Sequence, residues 1–350
     1  MQILHTLTCF FYILMAANQY KIPNMNTNSR RGFITKSAVA VSGLTLGLHH
    51  SGSTKSLLDV YVTKSLRKRP IHVFTKVLQF LSYDDMAEVL ARFGFDGADL
   101  TVRSGGQVLP ENVESDLPKA VRALRSAGVD SYMITTNVID AKDKFTRPIL
   151  KTMADLGIKF YRTGYLDYDH SKSVTQNLDE HKRTVEELEK VNKEYGIHGA
   201  YQNHSGRRVG GPVWDLHPII KDCDPEFIGV QYDIRHATVE GAISWPVGMR
   251  LLAPWIKTVD IKDFVWDKNE KGEWRIKNVP LGEGMVDFKT YFDLYRSFNI
   301  EGPVSIHYEY DLGGAEHGRL NPTMSLEEIS KYLEKDLACL KEQFSRYELG

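Results

Sequence analysis

Cysteine is scarce, with three residues in a chain of 350. Cys9 stands in an N-terminal stretch, which leaves Cys223 and Cys339 for the rest. Their spacing matches no metal-binding pattern, and so few thiols exclude a disulfide framework. An excess of one charge is also missing. The net charge of -1 argues against nucleic acid or an anionic membrane as the main partner. No Gly-rich phosphate fingerprint follows the first apolar run, so an open doubly wound sheet loses its main support. No internal repeat is visible beyond an alternation of strand-like and helix-like segments. No transmembrane span is expected in the mature domain.

What is present early in the chain is Arg30-Arg31-Gly-Phe-Ile-Thr-Lys36, followed by an almost uncharged stretch from Ser37 to Leu48. Two arginines, then Phe-Ile-x-Lys and a short, mildly apolar segment, read as a twin-arginine export signal. The stretch is too short and too rich in Gly, Ser and Thr to span a bilayer. The expectation is a protein folded in the cytoplasm and exported to the periplasm. Met1–Asn24 precedes the signal and reads as an upstream extension, with translation starting at Met25; an amphipathic anchor is the alternative. No clear Ala-x-Ala site follows Leu48, so cleavage is left open. The expected division is 1–56 for extension and signal, and 57–350 for a single folded domain.

From His72 onward the periodicity alternates between 2 and 3.6 at intervals of about 30 residues. Strands are expected at Val73–Leu81, Ala98–Val102, Ser131–Asn137, Lys159–Thr163, Gly199–Asn203, Ile228–Asp233, Ile256–Ile261 and Val304–Tyr308. Helices are expected at Tyr83–Phe93, Leu117–Ser126, Phe145–Leu156, Asp179–Tyr195, Pro212–Lys221, Pro246–Ala253, Asp287–Phe298 and Ser325–Phe344. Eight strand–helix units predict an α/β fold, a (β/α)8 TIM barrel. Lys268–Lys277 reads as a charged hairpin decorating the active face. Leu281-Gly-Glu-Gly reads as a structural loop.

A barrel carries its active site at the carboxyl ends of its strands. Five consecutive strands end in polar or metal-capable groups: Arg162, Gln202 with His204, Asp233 with His236, Asp260 with Lys262 and Asp263, and His307 with Glu309. Alternation puts His307 and Glu309 on the same side of their strand. Arg162 and Lys262 bring positive charge that could bind an anionic group or stabilise an enolate; ion pairing with Asp263 or Glu309 is the structural alternative. Trp214, Trp245, Phe264 and Trp266 fall in or near loops, where they could stack on a sugar ring or pack in the core.

Gln202-Asn-His-Ser-Gly, Tyr232-Asp-Ile-Arg-His, Val259-Asp-Ile-Lys-Asp, Pro280-Leu-Gly-Glu-Gly-Met-Val-Asp-Phe and Pro303-Val-Ser-Ile-His-Tyr-Glu, in that order, resemble the xylose-isomerase-like barrel superfamily. This is the sugar phosphate isomerase/epimerase group, which includes D-tagatose 3-epimerase, inosose dehydratase and endonuclease IV relatives. The resemblance runs from about His72 to Phe344 and implies a divalent metal (Mn, Mg or Zn). The family holds it with Glu, Asp, His and Glu on strands five to eight, and the matching positions here are Gln202, Asp233, Asp260 and His307. Only Asp233 keeps the family residue, yet all four types can ligate. In the epimerases the two Glu ligands also serve as acid and base, and Gln202 cannot. The acid–base work is therefore expected of His307 or Glu309. Arg162, His204, His236, Lys262 and Asp263 are the expected substrate-binding residues.

The expected function is a sugar isomerase or epimerase acting on a carbohydrate or keto-sugar by proton abstraction next to a carbonyl. A lyase or hydratase acting on 3-keto-glycosides is the first alternative, because the Glu positions are lost and sugar phosphates are scarce outside the inner membrane. A non-catalytic sugar-binding barrel is the second. The sequence leaves a homo-oligomer open.

Overall fold

The computed structural model describes residues 69–349. The expected export signal, the extension before it and Cys9 lie outside the described residues.

Eight parallel strands close into a barrel: β1 (Ile71–Phe74), β2 (Gly97–Val102), β3 (Met133–Thr136), β4 (Phe160–Arg162), β5 (His198–Gln202), β6 (Ile228–Asp233), β7 (Ile256–Ile261) and, last in the chain, β10 (Val304–Ile306). Closure comes from β1, which pairs with β2 on one side and β10 on the other. Between β7 and β10 the chain makes a separate antiparallel hairpin, β8 (Asp263–Lys268) and β9 (Trp274–Val279). This is the (β/α)8 barrel expected from the sequence.

Helices α1 (Tyr83–Phe93), α2 (Val113–Ser126), α3 (Thr146–Leu156), α4 (Val174–Tyr195), α5 (Leu216–Ile220), α6 (Ile234–Gly241), α7 (Trp245–Leu252), α8 (Phe288–Ser297) and α9 (Leu326–Arg346) follow the strands. Helix α1 shows why. Ser82 caps it by accepting the Asp85 N–H at 3.1 Å. Met86, Val89 and Leu90 form its buried stripe. Gly94 ends it at φ 76°, a left-handed conformation that lets the chain turn into the next strand. Gly157 does the same after α3.

Four expectations are corrected. The apolar run Val73–Leu81 is not one strand: β1 stops at Phe74 and Thr75–Leu78 is a 3-10 turn that buries Val77 and Leu78. A short apolar run does not distinguish strand from buried turn. Helix α4 begins five residues before Asp179, because Ser173 and Gln176 form a capping box. Helix α6 was not expected. It starts where β6 ends, and the Asp233 carboxylate caps it by accepting the His236 N–H at 3.0 Å. The hairpin is longer than Lys268–Lys277, with its tip around Gly272 as expected.

Of the four loop aromatics, Trp245 and Phe264 are core residues, whereas Trp214 and Trp266 are exposed. Cys223 is buried, Cys339 partly so, and both are free. Among the described residues, no helix is long and apolar enough to cross a membrane.

Candidate active site

Inward-facing polar side chains stack in layers at the carboxyl ends of the strands. Alternation along β7 directs Thr258, Asp260 and Lys262 inward, and along the last strand Ser305, His307 and Glu309. The lower layer is a fixed hydrogen-bonded floor. Thr258 Oγ1 donates to Gln231 Oε1 (3.2 Å), and Gln231 Nε2 donates to Asp260 Oδ1 (2.7 Å). Asp99 on β2 accepts from Thr135 Oγ1 (3.0 Å) and Ser305 Oγ (2.8 Å).

Gln202 is the hub of the upper layer. Its amide nitrogen donates to Asp233 Oδ2 (3.0 Å) and to Asp260 Oδ2. Its amide oxygen accepts from Arg162 Nη1 (3.2 Å) and from the Tyr165 hydroxyl. Donors on one side and carboxylates on the other fix which way the amide points.

Lys262 is 2% exposed, and its ammonium lies 3.0 Å from Asp233 Oδ2, 2.9 Å from Glu309 Oε1 and 3.0 Å from His236 Nε2. Burial would lower its pKa, but Asp233 and Glu309 more than offset this, so it is raised and the group stays charged. Glu309 is held well below the usual carboxylate range: burial pushes it up, and Lys262 and His307 outweigh that.

The His307 ring stacks on Phe74 with centroids 4.4 Å apart. Its Nε2 is 3.0 Å from Asp260 Oδ1 and its Nδ1 is 3.7 Å from Glu309 Oε1. Neither ring nitrogen makes an aligned hydrogen bond, although the ring is buried. Burial lowers the His307 pKa, but Asp260 and Glu309 reverse the shift, and the net direction is upward. Asp260 is correspondingly lowered: burial opposes ionisation and His307 overrides it. Asp233 is raised, chiefly by burial. Asp99 is pushed up to about 6, again by burial.

His204 and His236 form the rim, with ring centroids 3.9 Å apart. Burial brings His204 down to about 4 and His236 well below its ordinary value, so both rings are neutral near pH 7. Arg235 donates to Asn278 Oδ1 at 3.1 Å and 2.6 Å, and Asn278 Nδ2 donates to the Glu309 carbonyl at 3.0 Å. The hairpin is thus tied to the mouth. Asp263 does not join the site. Its carboxylate accepts backbone N–H groups of Phe264, Gly282, Gly284 and Val286, which builds the Leu281–Gly284 loop.

The structure therefore gathers Arg162, Gln202, Asp233, His236, Asp260, Lys262, His307 and Glu309 into one cluster, with His204 at its edge. Sequence reasoning missed Asp99, Phe74 and Tyr165. Asp99 and Phe74 were hidden inside apolar strand patterns, where only inward parity could have marked them.

A metal fits only part of this set. Gln202 turns its N–H groups, not its oxygen, toward Asp233 and Asp260. Asp233 faces an ammonium. Among the described residues, Asp99, Asp260 and His307 have ligand atoms that all lie within 4.8 Å of one another, a buried group of metal-binding composition that does not include Asp233 or Gln202. The four matched positions, taken together, do not form a metal cage here.

Fold and cluster define a TIM barrel with a buried charged centre where barrel enzymes keep their active sites. The family profile described as xylose isomerase-like TIM barrel matches residues 87–342, and the chain belongs to that family. An uncharacterised protein of Methanocaldococcus jannaschii is 24% identical over 145 residues, 41% of this chain and 47% of that protein; the match spans about half the relative's length. A xylose isomerase domain protein from Planctomyces limnophilus superposes with TM-score 0.59 at 15% identity, covering 80% of this chain and 99% of its own. A 3-keto-D-glucoside 4-epimerase from E. coli gives 0.55 at 14% identity, covering 79% and 100%. Other similar structures include further sugar epimerases and a dehydratase.

Proposed function

We propose that this barrel is an enzyme that removes a proton from the carbon next to a carbonyl of a keto-sugar. The observation that carries the reading is His307. It is buried, backed by Asp260, flanked by Glu309, and has both ring nitrogens free of aligned hydrogen bonds. A His–carboxylate pair with a raised pKa is a stronger base than a free imidazole. In the step, the C–H proton goes to the ring and the electron pair forms the C=C bond of an enediolate. The charge on the carbonyl oxygen is balanced by Lys262 and Arg162. Returning the proton to the neighbouring carbon, as the hydroxyl proton of the enediolate passes to the former carbonyl oxygen, completes an isomerisation. Expelling a substituent from the next carbon completes an elimination.

Gln202 cannot take a proton, so one-base chemistry is favoured over two-base epimerisation. This keeps a lyase acting on 3-keto-glycosides as the second reading, and one similar structure is a 3-keto-D-glucoside 4-epimerase by description. Neither outcome routes a step through a metal. A divalent ion of the expected kind would find its ligand atoms in Asp99, Asp260 and His307. His307 and Lys262 are nearly closed off, each 2% exposed. Export in the folded state by the Arg30-Arg31 signal is part of the same reading.

The test is solvent-deuterium exchange at the carbon next to the carbonyl, followed by NMR on keto-sugars and 3-keto-glycosides. His307→Ala and Glu309→Ala are each expected to lose on the order of a hundredfold. The wild-type rate should rise with pH through a His307 value above the usual imidazole range. Undiminished exchange in the double variant would remove both residues from the mechanism. No exchange with any sugar would favour a binding protein.

A further inference from the structure

The Lys262 side chain occupies an unusual position for an ammonium group. It rises from β7 two residues beyond Asp260, so both face into the barrel. Its nitrogen contacts Asp233, the one position that keeps the family's ligand type, and Glu309 at the mouth. Every acceptor on Asp233 already has a protein donor. Oδ1 takes the His236 N–H, and Oδ2 takes Lys262 and Gln202.

The neighbouring changes point the same way. At the first matched position an amide stands where the family has a carboxylate, and it presents N–H groups to Asp233 and Asp260. At the last matched position an imidazole stands where the family has a second carboxylate, and it leans on Asp260. Across the four matched positions three carboxylates become two, because Asp260 stands where the family has its histidine while an amide and an imidazole replace the two glutamates. Asp233 and Glu309 are both met by the Lys262 ammonium. A divalent ion placed against Asp233 would sit beside an ammonium in a water-poor interior, where like charges repel strongly.

We propose that the Lys262 ammonium takes the place of the family's divalent ion, making this a metal-independent centre whose fixed positive charge is a side chain. The proposal rests on the same cluster as the proposed function but not on the reaction assigned to it.

The experiment uses the full chain and needs no substrate. Protein purified without chelator is loaded with Mn²⁺, Mg²⁺ or Zn²⁺ and freed of excess ion. Bound metal is then measured, and thermal unfolding is followed with and without EDTA. The wild type should retain far less than one ion per chain, and its melting midpoint should not respond to ion or chelator. In Lys262→Ala the carboxylates lose their cation, so Mn²⁺ should bind roughly tenfold or more tightly than in wild type and raise the midpoint. A wild type that holds one ion, and melts earlier when the ion is stripped, overturns the proposal. Loss of that ion in Asp99→Asn would then assign it to Asp99, Asp260 and His307. The wild-type arms decide the matter even if Lys262→Ala does not fold. A barrel without metal that also exchanges no sugar proton would sink the proposed reaction and leave this inference standing.

Discussion

Asp336 on α9 shows what burial does to a carboxyl whose partners are mainly neutral. It accepts the Leu281 N–H at 3.0 Å and the Tyr310 hydroxyl at 3.0 Å, and burial pushes its pKa up to about 7. The folded state therefore holds the proton more tightly than the unfolded chain, whose value is near 4. The stabilisation is complete below about pH 4 and is lost as pH rises through about 7. Asp336→Asn should flatten this part of the profile. Urea unfolding at about pH 5 and about pH 8 should differ less in the variant than in wild type. An identical difference would show that Asp336 does not titrate across folding. Asp260 and Glu309 behave otherwise because His307 and Lys262 lie beside them, whereas Asp233 and Asp99 are raised by burial as Asp336 is. That contrast was partly legible in the sequence. Asp233, Asp260, Lys262, His307 and Glu309 stand at strand ends in an order that only a barrel brings together. Asp263 was misplaced because neighbouring strand residues face opposite ways, so Lys262 and Asp263 cannot both enter the mouth. Asp99 went unseen because one acid in Gly97-Ala-Asp-Leu does not disturb an apolar strand pattern.

The regular elements were readable wherever their periodicity was long. Helix α1 and strands β6 and β7 have the bounds their patterns predict. The misses lie where a tertiary or capping contact decides: the Ser173–Gln176 box that lengthens α4, and the Asp233 cap that starts α6. The hairpin and the loop behind it depend on another such contact. A Cβ on Gly284 would lie 2.0 Å from Asp263 Oδ1 and 2.5 Å from the Phe264 carbonyl. No side chain fits without breaking the set of N–H donors around Asp263. Gly284→Ala is expected to cost about 1–3 kcal/mol, as overpacking does, read as a lower urea midpoint. A midpoint equal to wild type would mean that the loop yields without cost.

At the scale of the molecule, eight strand–helix units were enough to identify the barrel, because short parallel strands separated by helices have few other ways to bury both faces. The reaction and the substrate were not legible to the same degree. They depend on how side chains from five strands meet, and the ligand positions that usually announce the family's chemistry are altered here. The export reading belongs to this scale too. Changing Arg30 and Arg31 to lysine is expected to keep the protein in the cytoplasm, measured by fractionation; full delivery of the double variant to the periplasm would remove the reading.

Barrel closure also sets a clock. Strand β1 is sealed by β10, and the seam is reinforced by a hydrogen bond from Arg69 to the Ile300 carbonyl, 231 residues further along the chain. At about 5–20 residues per second the two sides of that seam are synthesised roughly 10–50 s apart. During that interval Ile71-His72-Val73-Phe74 has one edge without its final neighbour, and an unpaired apolar edge invites association with other chains. The arginine pair leaves the ribosome even earlier. Under the proposed export, a chain transported only after folding would advertise its destination well before it has acquired the shape required for the journey, and restraint in that waiting period would have to come from outside the barrel.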